Sequence, residues 1–124
     1  VGKAVFQFCF NSANWWWAQQ QCEAQGGDLV SIDSAEEQAA IESIINGYGV
    51  DRWWIGYNDT EQEGQFVWTN GSKSKYTNWH IGDQYVQPDD HNYSEDCTEL
   101  LAWFDWAWND WTCWENQPFI CRYD

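Results

Sequence analysis

Ten consecutive residues, Gln87-Pro88-Asp89-Asp90-His91-Asn92-Tyr93-Ser94-Glu95-Asp96, carry four carboxylates and two side-chain amides, with no Lys or Arg among them. Carboxylates this close repel one another unless a cation lies between them. Carboxylate and amide oxygens are the ligands Ca²⁺ takes, typically about six to eight of them, whereas Mg²⁺ keeps more of its water. Softer metals prefer imidazole or thiolate, and His91 has no second His beside it. The D-x-[DN]-x-[DN]-G pattern of an EF-hand is absent. A solvated acidic loop is the plainer alternative. Two further groups add oxygens of the same kind: Asp59 and Glu63 in a turn between strand-like runs, and Asn109-Asp110 after Trp108. Turns favour Asp and Asn in any case, so each pair alone is weak evidence.

These residues need a frame to hold them. Val5, Phe6, Phe8 and Phe10 alternate loosely around Gln7 and Cys9, which predicts a strand over residues 1–10. Residues 14–25 suit a helix, with Asn14 as N-cap, Trp15, Ala18 and Cys22 at helical spacing, and Gly26-Gly27 as its stop. Leu29, Val30 and Ile32 form a short apolar run. Ser34-x-x-Glu37 is a capping-box signature for a second helix to about Asn46. Its expected buried face is Ala40, Ile41, Ile44 and Ile45. Strands follow at Trp53-Trp54-Ile55-Gly56, at Phe66-Val67-Trp68 and at 117–123, and 97–111 is again apolar. Residues 69–96 have no periodicity, and an aperiodic stretch of that length inside a small domain is usually functional or disordered. The order predicts an α+β domain, helices early and an antiparallel sheet late, spanning 1–124 as one unit.

Composition narrows the partners. The chain has 124 residues, 12 Trp, 20 acidic against 5 basic residues, and a formal charge of −15. That charge repels phosphates and excludes nucleic acid. No run of 18 apolar residues is present, so no membrane span is expected. Five Cys without a C-x-x-C pair argue for an extracellular disulfide framework and against a zinc ribbon. Four Cys can pair in three ways, and a fifth is left over. Three N-x-[ST] sequons, at Asn58, Asn70 and Asn92, are compatible with secretion. The opening Val1-Gly2-Lys3 lacks the regions of a signal peptide and reads as a mature form.

Taken in order, Trp15-x-x-Ala18-x-x-x-Cys22, Gly26-Gly27-x-Leu29, Trp54-Ile55-Gly56, Glu63-Gly64-x-Phe66-x-Trp68, Asn78-Trp79, Gln87-Pro88-Asp89, Glu95-Asp96-Cys97, Trp108-Asn109-Asp110 and Phe119-Ile120-Cys121 resemble a C-type lectin domain over nearly the whole chain. The resemblance implies a disulfide-stapled fold of two helices and two small antiparallel sheets with a long calcium-binding loop. It implies the pairings Cys22–Cys121 and Cys97–Cys113. One Ca²⁺ would be held by Gln87, Asp89, Glu95, Asn109 and Asp110, and one or two more by Asp59, Glu63, Asp90, Glu95 and Asp96. Gln-Pro-Asp is the family's galactose-type signature, as against Glu-Pro-Asn for mannose. It implies recognition of galactose or N-acetylgalactosamine through the 3- and 4-hydroxyls by Gln87, Asp89, Glu95 and Asn109, with His91 counted among the sugar-binding residues. Galactose-type members often carry a stacking Trp where this chain has His91, so Tyr85, Tyr93, Trp103 and Trp106 are candidates for that ring. Cys9, which longer members pair upstream, is open to an intermolecular disulfide and a homodimer.

An enzyme is the least supported class. Asp89 and Glu95 could serve as a glycosidase pair, but as calcium ligands both stay ionised and neither can give a proton. No nucleophile motif accompanies His80 or His91. The other binding class is a member of the same fold whose ligand is a protein or ice rather than a sugar.

Overall fold

The computed structural model describes residues 4–62, 64–80 and 97–124. The chain enters through strand β1 (Val5–Ala13), followed by helix α1 (Trp15–Ala24), a short β2 (Asp28–Leu29) and helix α2 (Ala35–Ile45). Strands β3 (Arg52–Asn58), β4 (Val67–Trp68), β5 (Cys97–Leu101), β6 (Trp108–Trp111) and β7 (Gln117–Tyr123) complete it, with a 3₁₀ turn over Ala102–Phe104.

Both helices start where their caps place them. Asn14 Oδ1 accepts from the Trp17 N–H at 2.9 Å, and Ser34 Oγ from the Glu37 N–H at 3.2 Å. Each satisfies an N–H that the first turn would leave orphaned. The Glu37 carboxylate reaches back to the Asp33 N–H at 2.8 Å rather than to the cap residue itself. The buried stripe of α2 is Gln38, Ile41 and Ile45, not the expected Ala40-Ile41-Ile44-Ile45 face. Ile44 is 41% exposed. A glutamine takes the inward position because its amide is fully used: Nε2 donates to the Trp106 carbonyl and to Glu42, and Oε1 accepts from Trp108 Nε1 at 2.9 Å. At the end of α1, Gly27 is required by space. A Cβ there would lie 2.5 Å from the Arg122 carbonyl oxygen.

The strands run β1-β7-β3-β5-β6, with β2 on β7 and β4 on β3. Two antiparallel groups, β1-β7-β2 and β4-β3-β5-β6, meet through a single parallel pairing at Trp54↔Phe119. That seam turns the two small sheets expected from the resemblance into one mixed surface. Successive strand residues point to opposite faces, and the core divides accordingly. Trp53, Ile55, Leu100, Trp108 and Ile120 join Val30, Ile32, Ile41 and Ile45 on the α2 side. Trp54, Cys97 and Phe119 join Trp15, Ala18 and Leu29 on the α1 side.

Both expected disulfides are present. Cys22–Cys121 closes a separation of 99 residues and ties α1 to β7, while Cys97–Cys113 pins the start of β5 to the end of β6. Cys9 is free and partly buried against the α1-side cluster. Burial holds its thiol above the usual range.

Candidate metal and ligand site

Residues 81–96 and Glu63 fall outside the described residues, and with them Gln87, Asp89, Asp90, His91, Glu95 and Asp96. The described chain fixes the points where that stretch departs and returns. Residue 79 forms a bridge to Trp108, the Trp108 N–H donates to the Asn78 carbonyl at 2.8 Å, and the His80 N–H donates to the Trp108 carbonyl at 3.0 Å. The chain re-enters the sheet at Cys97, opposite Trp111. Asn109 and Asp110 therefore lie between the two anchor points, along β6.

Asn109 is 5% exposed and Asp110 is fully buried. The register sets Asn109 opposite Glu99 and Asp110 opposite Thr98, on opposite faces of the sheet. A ligand that takes both side chains must then sit at the outer edge of β6, past the Trp79 bridge at Trp108. At the same end of the sheet, Asp59 follows Asn58, which pairs with Cys97. Asp59 Oδ2 accepts from the Gly64 N–H at 2.8 Å. Its Oδ1 is buried with no hydrogen-bond partner among the described residues. An acceptor buried without a donor is costly, and a carboxylate oxygen of this kind is a type of ligand that a hard cation takes. Among the described residues alone, no cluster of three metal-ligating side chains forms. The described part of each proposed set is Asn109 with Asp110, and Asp59.

The structure adds residues that the motif reading missed. Glu99 is wholly buried on the α1-side face, and both its oxygens contact Arg52 Nη1, at 3.1 and 2.9 Å. Asn109 Nδ2 donates to Glu99 Oε2 at 2.7 Å. The Arg52 guanidinium lies 4.4 Å from the Trp111 ring centre and 5.3 Å from that of Trp103. Burial pushes the Glu99 carboxyl up from 4.5 to about 7, opposed by the Asn109 hydrogen bond and the Arg52 charge. Gln117 also lowers it, although its Nε2 makes no hydrogen bond of good geometry among the described residues. The sequence signal was a lone Glu in the run Cys97-Thr98-Glu99-Leu100-Leu101, where every position is buried.

Of the rings considered for sugar stacking, Trp106 belongs to the α2-side core and is 8% exposed. Its backbone has φ 68°, following Asp105 at 57°. Its burial in that core removes it as a candidate. Trp103 is 72% exposed beside Arg52, over a cleft of about 440 Å³ shared with Trp111, Glu115 and Gln117. Tyr85 and Tyr93 lie outside the described residues. Of the sequons, Asn58 is buried and its Nδ2 donates to the Gly56 and Val67 carbonyls. No glycan can be carried there in this fold. Asn70 Nδ2 donates to Ser31 Oγ at 2.8 Å.

The family model described as Lectin C-type domain matches residues 11–123, and the chain belongs to that family. Such domains are carbohydrate-binding rather than enzymatic and typically bind Ca²⁺. The chain is 37% identical over 123 residues to the galactose-specific lectin nattectin of Thalassophryne nattereri, covering 97% of this chain and 74% of the relative. It is 34% identical to C-type mannose receptor 2 of Homo sapiens over 96% of its own length, which is 8% of that receptor. Among solved structures, C-type lectin CEL-I from Cucumaria echinata superposes with TM-score 0.86 at 31% identity, over 98% of this chain and 91% of that one. A calcium-independent type II antifreeze protein superposes at 0.84 and 29%, over 99% and 88%.

Proposed function

We propose that the chain is a secreted, calcium-dependent lectin for terminal galactose or N-acetylgalactosamine. One observation carries this reading. The Gln87–Asp96 stretch leaves and re-enters the described structure beside Asn109 and Asp110, through the bonds at Trp108 and the Cys97↔Trp111 pairing. Gln87, Asp89, Glu95, Asn109 and Asp110 hold the sugar-site cation. Asp59, Glu63, Asp90, Glu95 and Asp96 hold the second, and the unpartnered Asp59 Oδ1 supports their assignment. Bound calcium supplies coordination positions for two vicinal sugar hydroxyls. Gln87 and Asn109 donate N–H to those hydroxyls, and Asp89 and Glu95 accept from them. One Asn109 amide hydrogen is committed to Glu99, which leaves the other for the sugar. The galactose preference is supported by the Gln87-Pro88-Asp89 order and by the likeness to a galactose-specific relative. Secretion is supported by the two disulfides.

A second reading keeps the fold and changes the ligand to protein or ice. The likeness to a calcium-independent antifreeze protein favours it. A galactose-bearing column separates the two. The lectin reading expects retention in calcium and release by EDTA or by galactose, but not by mannose. Passage straight through the column in calcium leaves the second reading standing. The proposed Cys9 homodimer is read on a non-reducing gel, where migration at monomer size ends it.

A further inference from the structure

Asn109 is a useful calcium ligand only in one of its two amide orientations. The carbonyl oxygen must face the cation, and a half-turn of the amide would present N–H instead. The two orientations have nearly the same shape, so packing alone does not choose between them. Glu99 does choose. It stands directly opposite Asn109 in the β5–β6 register, and its Oε2 lies 2.7 Å from Asn109 Nδ2. A carboxylate only accepts, so the amide nitrogen must face Glu99 and the carbonyl oxygen must face away.

Glu99 is itself held. Arg52 Nη1 bridges both of its oxygens, and the guanidinium packs near Trp103 and Trp111. A carboxylate with no exposed surface is an expensive occupant for a strand otherwise made of Cys, Thr and Leu. An apolar residue there would usually serve stability as well or better. We propose that Glu99 is a positioning residue for the calcium site: it fixes the Asn109 amide so that Oδ1 is presented to the cation, and Arg52 fixes Glu99. This rests on the calcium reading above, and outer-shell partners of metal ligands commonly change affinity by about 10–100-fold.

The test measures calcium affinity by titration calorimetry at pH 8 on the full, disulfide-bonded chain. Near-ultraviolet circular dichroism in EDTA checks that each variant is folded. Glu99→Met is closest in shape but cannot accept, and is expected to weaken calcium at least about tenfold. Glu99→Gln can keep an oxygen at the Oε2 place, where Arg52 and Asn109 both donate, while its NH2 takes the Oε1 place and the partly exposed Arg52 gives up that one contact; it is expected within about threefold of the unmodified chain. Asn109→Asp in the Glu99→Met background needs no orienting, since both its oxygens can ligate, and is expected to restore most of the loss. Met and Gln variants equally weakened, or a Met variant that binds like the unmodified chain, would overturn the proposal. If Glu99→Met does not fold without metal, Glu99→Gln decides: a loss beyond about tenfold ends the proposal. An unmodified chain that binds no calcium ends the calcium reading itself, and this inference with it.

Discussion

The two arginines of this chain occupy comparable places and do different work. Arg122, near the end of β7, is enclosed by partners. Its Nη1 donates to the Ser31 carbonyl at 2.8 Å and contacts Glu37 and Asp33 at 3.0 and 3.3 Å, and its Nε reaches Asp124 at 2.9 Å. This network joins α2 and the Ser31–Asp33 segment to the sheet, and runs on through Ser31 and Asp33 to Asn70, Ser72 and Ser74 rather than to β6. Arg52, at the start of β3, has one carboxylate partner among the described residues, Glu99, and that partner passes the interaction on to Asn109. Gln117 Nε2 and Thr98 Oγ1, on or beside that strand, lack hydrogen-bond partners among the described residues. The Arg122 network fastens layers together. The Arg52 network ends on Asn109, the side chain proposed to meet the cation.

The largest separation between the two regions is expected from Arg52→Met. It strands Glu99 in a fully buried position, and breaking such a pair typically costs about 3–5 kcal/mol. The loss has a ceiling, because Glu99 can escape by taking a proton. Urea unfolding in EDTA should therefore show a loss of about 3 kcal/mol at pH 8 and a clearly smaller one at pH 5. An equal loss at both values would mean that Arg52 acts through packing on Trp103 and Trp111 instead.

Glu99 also gives the metal-free protein a pH dependence of defined sign. Its folded carboxyl titrates near 7 against an unfolded value of 4.5, so the folded state binds the proton more tightly. The stability this contributes is fully present below about 4.5 and is lost as pH rises through about 7, on the order of 3 kcal/mol in all. Other carboxylates of this acidic chain add slopes of their own, so the informative quantity is a difference. Glu99→Gln should be flatter than the parent by that amount in denaturant unfolding with EDTA. Parallel curves for the two proteins would remove the assignment.

Arg122→Met should cost less, about 1–2 kcal/mol, because its carboxylate partners are partly exposed and can return to water. Its calcium-induced rise in melting temperature should match the parent's. A reduced rise would show that the Arg122 network is coupled to the metal site after all, and the contrast drawn between the two arginines would fail.

The sequence made the frame legible where local chemistry is decisive. Asn14 and Ser34 cap the helices they were expected to cap, and the two disulfides implied by the resemblance join the expected partners. It was silent where a residue's type misstates its surroundings. Gln38 reads as surface but is buried through three hydrogen bonds to groups far along the chain or one helical turn on. Ile44 reads as core but faces water, because the helix turns Gln38, Ile41 and Ile45 inward. Trp106 reads as one of several rings that could stack on a ligand, and only its packing into the α2-side core shows that it does not. Asn109 and Asp110 were visible as a motif. Glu99 was not, because its role depends on the strand register, which pairs residues ten apart.

The smallest effect on stability is expected at Asp59, where it is most discriminating. Its Oδ2 has the Gly64 N–H, and its Oδ1 is buried without a donor. Asp59→Asn keeps the shape, and its amide oxygen can still accept from Gly64. In EDTA the variant should unfold within about 1 kcal/mol of the parent, as for substitutions that break no satisfied interaction. In millimolar calcium the two should part. A ligand that binds only the folded state stabilises it by mass action, and an amide is a weaker ligand for a hard cation than a carboxylate. The calcium-induced rise should therefore shrink in the variant, while release from a galactose column by free sugar is retained if the sugar-site cation is held independently. An unchanged rise would mean that the orphaned oxygen of Asp59 serves no cation, and the second metal site would lose its only described ligand.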